Sequence, residues 1–274
     1  MFTKLLKNVT QNIKKLKKHK MKSFKTILFT CLMLIALSVN AQTAEEIIAN
    51  YFENTGGKAK WESLKGLKMI GSVNAQGMKI PVEMLTLKDG RTMLKIKFQG
   101  QEIKQGVYDG NILWNTNVMT QQAVVSDKES TDNYKKNEAK EFPDPFLNYK
   151  KNGYKVELLG KETKEGAECF KIKLTKNPIM VDGKEEENAT IYFFDTENFV
   201  PIALDSEAKQ GPMKGQVFTS TMSDYEEFGG LYFPTSMSQV GQPITIEAIE
   251  LNPSVDDSEF TMPVKAETPT EDNN

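Results

Sequence analysis

The sequence predicts a mainly β protein built from one long run of antiparallel strands. From Leu67 onward, apolar and polar residues alternate with the period of two that a half-buried strand shows. Turn residues such as Lys88-Asp89-Gly90 separate the successive runs. We count about eleven or twelve strands and find neither an internal repeat nor a domain linker. A single antiparallel run of this size curls into a barrel or folds over as a sandwich.

A segment near the N-terminus, Met21 to Ala41, has the layout of a secretory signal peptide. Two lysines precede an apolar run, Ile27 to Leu37, and small residues follow it. The run has roughly half of the ~20 apolar residues that span a bilayer. We therefore expect export and cleavage after Ala41, which makes Gln42 the first residue. An uncleaved membrane anchor is the alternative.

The first twenty residues precede this segment and hold seven lysines and no acidic residue. Residues 1–20 are interpreted as a gene-model extension upstream of Met21, or as an unusually long basic region of the signal. Cys31 lies inside the apolar run instead of directly after it. This position does not fit a lipid-modified cysteine, so no lipid anchor is expected.

Removal of the signal changes the charge of the chain. Residues 1–41 contain nine lysines and no acid, which leaves 26 basic and 37 acidic residues and a net charge of −11. This charge argues against nucleic acid or an anionic membrane surface as the main partner. One cysteine, Cys169, remains, so no intramolecular disulfide is expected.

Two helices are predicted ahead of the strands. Thr43-Ala44-Glu45-Glu46 is a capping box, in which the threonine and Glu46 side chains satisfy free backbone N–H groups. An apolar stripe at helical spacing follows, and Gly56-Gly57 ends the helix. A second short helix is predicted over Lys58 to Leu64, with Trp61 and Leu64 facing inward.

Three segments interrupt or end the strand pattern. Asp127 to Glu141 is polar and lysine-rich, and it is predicted to be a helix, a flexible excursion or both. Asn177 to Glu187 is predicted to be a loop. Residues 266–274 are acidic and predicted to be disordered, which leaves residues 42–265 as one domain.

Several kinds of chemistry are missing from the mature chain. The single histidine, His19, precedes the expected cleavage site, so Ser–His and Cys–His catalysis and ordinary zinc ligation are excluded. No phosphate-binding glycine loop is present. Cys169 alternates with apolar neighbours in a predicted strand and is interpreted as a small buried residue, with a reactive thiol as the alternative.

Carboxylates are the remaining candidates for catalysis or metal binding. The densest groups, Glu185 to Glu187 and Glu226-Glu227, lie in or beside turns, where charged runs are usually solvated. Asp256-Asp257 with Glu259 lacks the glycine and spacing of a calcium-binding EF-hand loop. We therefore expect no enzymatic activity, no cofactor and no metal site.

Methionine is the positive signal of the sequence. Ten of the thirteen methionines follow the expected cleavage site. Methionine adapts to irregular apolar shapes, so a methionine-rich concave face is suited to flexible acyl chains. Ordinary core packing is the alternative. Several of these methionines are predicted on strand faces, namely Met69, Met78, Met84, Met93, Met222 and Met237.

Several short strings of the chain resemble one family. The sequence is similar to bacterial envelope proteins described as outer-membrane lipoprotein-sorting proteins, and the likeness covers nearly the whole mature chain. The strings are Ala44 to Ile48 with Gly56-Gly57, Trp61 to Gly71, Asp144 to Leu147, Gly153 to Lys161, Tyr192 to Asp195, Val200 to Ile202, Ser223 to Tyr225 and Gly229 to Pro234.

The resemblance implies an unclosed antiparallel β-barrel, lined by apolar side chains and covered by N-terminal and lid helices. The best-known relatives are periplasmic carriers of lipoprotein acyl chains, which pass them from a membrane-bound donor to an acceptor. It therefore implies a monomeric periplasmic carrier or binder of lipidated ligands in outer-membrane biogenesis. An envelope sensor or interaction module of the same fold, with a protein or another lipid as ligand, is the alternative.

Two groups of residues are predicted to form the binding site. In the well-studied carriers an arginine holds the lid, whereas the single arginine here, Arg91, starts a strand and is not matched to that role. The covering helix is predicted to present Ile47, Ile48, Tyr51 and Phe52. The predicted lining of the cavity is Ile80, Val82, Met84, Leu94, Ile96, Phe98, Trp114, Phe170, Ile172 and Phe193.

Overall fold

The computed structural model describes residues 42–239 and 241–263. The expected signal peptide and the predicted acidic tail lie outside these residues. The described part contains the helices α1 (Ala44–Asn54), α2 (Lys58–Ser63) and α3 (Lys128–Lys136). Short 3-10 turns cover Glu138–Lys140, Gly211–Met213 and Asp257–Glu259.

Strands make up most of the remaining chain. The first six precede α3 and the other nine follow it. In chain order they are β1 (Gly66–Ala75), β2 (Met78–Leu87), β3 (Thr92–Phe98), β4 (Gln101–Tyr108), β5 (Leu113–Thr116), β6 (Ala123–Val125), β7 (Lys155–Lys164), β8 (Ala167–Thr175), β9 (Ile179–Val181), β10 (Lys184–Glu186), β11 (Ala189–Asp195), β12 (Pro201–Glu207), β13 (Val217–Phe228), β14 (Leu231–Gln239) and β15 (Gln242–Leu251).

Thirteen of these strands form one antiparallel sheet in the order β6-β5-β4-β3-β2-β1-β15-β14-β13-β12-β11-β8-β7. β6 and β7 are its edges, so the sheet is not closed. The predicted mainly β, unclosed antiparallel architecture is confirmed. The prediction of a loop over Asn177 to Glu187 is wrong in part, because β9 and β10 pair as a hairpin around Asp182-Gly183. Both turn residues have positive φ, 51° and 74°.

The predicted N-terminal helix begins as its capping box requires. The hydroxyl of Thr43 accepts a hydrogen bond from the Glu46 N–H at 3.2 Å, and the Glu46 carboxylate accepts one from the Thr43 N–H at 2.8 Å. Gly56, with φ of 111°, ends the helical segment. A Cβ on this residue would lie 2.2 Å from the carbonyl oxygen of Gly230, so glycine is required here. Trp61 and Leu64 are buried, as predicted.

The largest apolar core lies between α1 and one face of the sheet, which we call the inner face. The Tyr51 ring packs edge-on against Phe194 of β11, with ring centroids 5.7 Å apart. Phe146, from the segment before β7, packs against the ring of Phe194 as well, with ring centroids 5.4 Å apart. α1 contributes the apolar stripe that its sequence predicts, Ala44, Ile47, Ile48, Tyr51 and Phe52.

A second core lies on the opposite, outer face of β2 to β5. The segment after β15 crosses this face and places Phe260 among Leu85, Met93, Val107 and Trp114. The indole N–H of Trp114 donates to the carbonyl oxygen of Phe260 at 3.0 Å. The C-terminal segment therefore covers the outer face at β2 to β5, while α1 covers part of the inner face.

The polar excursion Asp127 to Glu141 is helical, as one of its two interpretations predicts. Asp127 caps α3 by accepting a hydrogen bond from the Ser130 N–H at 2.7 Å. On one side, the amide side chain of Asn133 exchanges two hydrogen bonds with the backbone of Met180 in β9. On the other side, the hydroxyl of Tyr134 donates to the carbonyl of Gly90, beside β3. α3 therefore links the β2–β3 turn to the β9–β10 hairpin.

Candidate functional site

A continuous apolar surface extends over the inner face beyond α1, and strand register defines it. Residues that oppose each other in an antiparallel ladder lie on the same face. Met69 packs against the core beneath α1 and opposes Met84, which in turn opposes Leu94. The same reasoning places further residues on this surface, which we call the inner band. Its members are Val73, Ile80, Val82, Met84, Leu94, Ile96, Phe98, Ile103, Met222, Met237, Ile244 and Ile246.

Most side chains of the inner band are half-buried, which distinguishes the band from the core beneath α1. Ile80, Met84, Leu94, Ile96 and Phe98 all retain intermediate exposure. The band crosses seven neighbouring strands, from β13 to β4. At about 4.8 Å between strands, its width is roughly 28 Å. A surface of this size offers an extended acyl chain apolar contact along its length.

The predicted lining residues divide into three groups. Six of them lie together in the inner band, namely Ile80, Val82, Met84, Leu94, Ile96 and Phe98. Phe170 and Ile172 also lie on the inner face, but they are only 4% and 0% exposed because α1 and the Phe142–Leu147 segment pack over them. They line the covered half of the inner face.

Trp114 and Phe193 form the third group, and they lie on the outer face. Trp114 packs under the C-terminal segment. Phe193 packs with Cys169 and Ala203, beneath the ammonium group of Lys164 at 4.6 Å. Their placement differs from the prediction because both strands carry adjacent apolar residues that face opposite sides, as Phe193 and Phe194 do. Neither side chain can line the inner band.

Some members of the inner band were absent from the predicted lining. Val73, Ile103, Ile244 and Ile246 join it through register with β2, β3 and β1. The alternation of Ile244 and Ile246 was a usable signal in the sequence. The register that brings β15 beside β1 was not, because these strands are about 170 residues apart in the chain.

A single carboxylate interrupts the apolar character of the covered half. Asp144 is partly buried, and its Oδ2 accepts a hydrogen bond from the Tyr51 hydroxyl at 3.0 Å. Its Oδ1 accepts from the Phe146 N–H at 2.8 Å. Loss of water raises the pKa of Asp144 to about 6, and the two hydrogen bonds only partly oppose this shift. Sequence reasoning did not select Asp144, because its partner Tyr51 lies 93 positions away.

An open cleft of about 870 Å³ lies where the β7–β8 and β11–β12 turns meet the end of α1. Its lining includes the acidic residues Glu165, Asp195 and Asp224, and neither lysine nor arginine is among the described residues that line it. Val200 and Ile202 give it an apolar floor. The cleft is therefore suited to a ligand that combines positive charge with an aliphatic part.

Six of the eight carboxylates noted in the sequence are engaged with neighbouring basic residues or backbone, namely Glu185, Glu186, Glu187, Asp256, Asp257 and Glu259. Glu186 pairs with Lys214 at 2.8 Å, and Glu187 pairs with Lys173 at 2.6 Å. Asp257 pairs with Arg91 at 2.6 Å, and Glu259 with Lys95 at 2.9 Å. Within residues 42–239 and 241–263, no group of three or more His, Cys, Asp or Glu side chains is arranged to hold a metal ion.

Two further features bear on the nature of the site. Cys169 is fully buried, which confirms its interpretation as a small buried residue. A buried thiol in apolar surroundings has a raised pKa. Among the helices that the structure describes, none is both long enough and apolar enough to span a membrane.

Comparison with known proteins gives likenesses among solved structures. No family model matches the chain, and no curated protein matches it. It is similar to a LolA superfamily protein from Nitrosomonas europaea, with 16% identity, a TM-score of 0.48, and coverage of 81% of this chain and 98% of that one. It is also similar to a DUF1329 family protein from Desulfovibrio piger, with 14% identity, a TM-score of 0.47, and coverage of 78% and 97%.

A third likeness bears the description that the sequence resembles. It is a putative outer membrane lipoprotein-sorting protein domain from Vibrio parahaemolyticus, with 13% identity, a TM-score of 0.45, and coverage of 79% of this chain and 97% of that one. Identities and TM-scores of this size leave ligand and partner to be inferred from the chain's own residues.

Proposed function

We propose that this protein is a non-enzymatic carrier or binder of lipidated ligands in the bacterial cell envelope. The inner band is the observation that carries this proposal. It joins half-buried apolar side chains from seven strands on one face of an unclosed sheet. Acyl chains of a lipoprotein would lie against the band and be shielded there from water.

The energetics of acyl binding are favourable on a surface of this kind. Each buried CH₂ group contributes about 0.8 kcal/mol, so a chain of about fourteen carbons offsets much of the ~4–15 kcal/mol cost of association. Met84, Met222 and Met237 adapt to chains of different shape because methionine has three rotatable bonds. The protein would therefore select for an acyl chain without selecting strictly for its length.

The place of action and the partners follow from the signal segment and the charge. A cleaved Met21 to Ala41 would deliver residues 42–274 to the periplasm, where membrane-bound donor and acceptor proteins would load and unload the ligand. A net charge of −11 disfavours direct association with anionic lipid surfaces or nucleic acid. We propose that the protein acts as a monomer.

Titration of the mature protein with a fluorescent palmitoylated lipopeptide, followed by native mass spectrometry, tests this function. Wild-type protein should bind one lipopeptide. Leu94→Asp and Phe98→Asp place a charge in the inner band and should each weaken binding at least about tenfold, because a carboxylate against an acyl chain loses its hydration.

Met119→Asp is the matched control for these variants. It also exchanges an apolar residue for an acid, but Met119 lies in the β5–β6 turn and is 97% exposed. It should leave lipopeptide binding unchanged. Failure of wild-type protein to bind lipopeptide, with circular dichroism showing a folded chain, would overturn the proposed function.

An envelope interaction module is the second candidate, and the acidic cleft favours it. Of the described residues that line this cleft, three are carboxylates and none is basic, so it offers a binding surface for a basic segment of a protein partner. Calorimetric titration with a lysine-rich peptide separates the two candidates. Binding of this peptide by a protein that ignores lipopeptide would favour the interaction module.

A further inference from the structure

Asp144 joins two segments, α1 and Phe142–Leu147, that together cover part of the inner face. It precedes Pro145-Phe146, whose phenylalanine packs against Tyr192 and Phe194 with ring centroids 4.8 Å and 5.4 Å away. Its carboxylate accepts a hydrogen bond from the hydroxyl of Tyr51 in α1 at 3.0 Å. Tyr51 is 5% exposed. This hydrogen bond therefore connects α1 to the Phe142–Leu147 segment inside the largest core.

Within residues 42–239 and 241–263, no lysine or arginine forms an ion pair with this carboxylate. The ionisable groups that face it are three neutral tyrosines, Tyr51 of α1, Tyr192 of β11 and Tyr225 of β13, whose pKa values its negative charge raises, and Glu141 of its own segment. Glu141 is itself bound to Lys176 at 2.8 Å. An ionised Asp144 consequently has two hydrogen bonds but no counter-ion among the described residues, and it loses hydration when α1 is packed over it.

We propose that Asp144 is a proton-controlled latch, whose carboxyl group holds α1 on the inner face when protonated and favours its release when ionised. The latch rests on the proposed function, since release of α1 extends the inner band over Phe170 and Ile172. An acyl ligand would then gain the surface that α1 covers.

The direction follows from the proton affinities of the closed and open states. In the closed state, burial raises the pKa of Asp144 to about 6, whereas a carboxyl group in water keeps a value near 3.8. The closed state thus binds the proton more tightly. Raising the pH from 5 to 7.5 should favour opening by about tenfold, with little further change at higher pH.

Backbone hydrogen exchange of α1 measures this opening. After correction for the intrinsic exchange rate, amides near Tyr51 should be protected about tenfold more at pH 5 than at pH 7.5. Asp144→Asn keeps the shape of the side chain but cannot ionise. Its Oδ1 can accept from the Phe146 N–H and its Nδ2 can donate to the Tyr51 hydroxyl, so the protection of α1 should be high and independent of pH. Glu53→Gln is the control, because Glu53 lies on the exposed side of the same helix and should leave the wild-type dependence intact.

Tyr51→Phe provides a second test with a different signature. The tyrosine hydroxyl stabilises the ionised form, so its removal should shift the midpoint of the pH dependence to higher pH. Equal protection of wild-type α1 at both pH values, or a pH dependence that survives in Asp144→Asn, would overturn the latch.

Lipopeptide titration at the same two pH values separates the latch from the proposed function. Hydrogen exchange of α1 that depends on pH, without lipopeptide binding, would reject the carrier and retain the latch as a property of the fold. Binding that occurs with pH-independent exchange of α1 would retain the carrier and reject the latch. If both hold, the affinity for lipopeptide should rise with pH in wild-type protein and stay constant in Asp144→Asn.

Discussion

Nη1 of Arg91 lies 2.6 Å from Oδ1 of Asp257, and this ion pair fixes the C-terminal segment to the start of β3. The same guanidinium lies over the ring of Phe260, 5.0 Å from its centroid. In this chain the single arginine therefore holds the C-terminal segment on the outer face instead of holding the covering helix on the inner face.

The C-terminal segment should contribute strongly to stability, and mainly through Phe260. This side chain is 1% exposed in the core with Trp114 and Met93, so Phe260→Ala should cost about 3–5 kcal/mol of unfolding free energy. Arg91→Ala removes an ion pair and a cation–π contact at a partly exposed site and should cost about 1–2 kcal/mol. Urea unfolding measures both, and a larger loss for Arg91→Ala would contradict this ranking.

Close approach of two backbones makes Gly71 essential to the β1–β15 pair. A Cβ on this residue would lie 2.1 Å from the backbone carbonyl oxygen of Thr245, where the register shifts by a bulge. Gly71→Ala should therefore cost about 1–3 kcal/mol. At Gly66 the nearest atom is a methyl of the Leu87 side chain, which can move, so Gly66→Ala is a milder control. Thermal unfolding that ranks the two variants in the reverse order would refute the steric explanation.

Local sequence signals predicted the parts of this fold that depend on neighbouring residues. The capping box at Thr43 predicted the start of α1, since its hydrogen bonds span three positions. Strand alternation predicted that Leu94 and Ile96 share a face, because the period of two is a property of the backbone. These signals require no knowledge of the distant chain.

Contacts between distant segments were beyond the reach of such signals. Lys95 alternates with Leu94 and Ile96 in the sequence, yet it is only 8% exposed because Glu259 folds over it from 164 positions away. The hydrogen bond between Tyr51 and Asp144 could not be predicted for the same reason, because the two residues lie 93 positions apart. Where two adjacent residues are both apolar, as at Phe193 and Phe194, alternation cannot say which one faces the site.

The two sides of the sheet should respond differently to substitution in a binding assay. Phe193→Leu trims a side chain in the outer-face core and should cost about 1 kcal/mol of stability while leaving lipopeptide binding unchanged. Phe98→Leu trims a half-buried member of the inner band and should weaken binding with little effect on stability. Parallel urea unfolding and lipopeptide titration separate the two effects. Weaker binding by Phe193→Leu alone would place the ligand on the outer face.

Asp144 should make the global stability depend on pH in the opposite sense to an ordinary ion-paired carboxylate. Its pKa is raised to about 6 in the folded protein, from about 3.8 in an unfolded chain, so the folded state binds more protons between these values. Its contribution to the unfolding free energy is therefore most favourable below pH 4 and declines until about pH 6. At pH 7.5, Asp144→Asn should exceed wild type by about 1–3 kcal/mol, and the advantage should vanish near pH 4. Urea unfolding of both proteins at pH 4, 5, 6 and 7.5 gives this difference directly. A constant difference across the four values would mean that Asp144 does not titrate in this range.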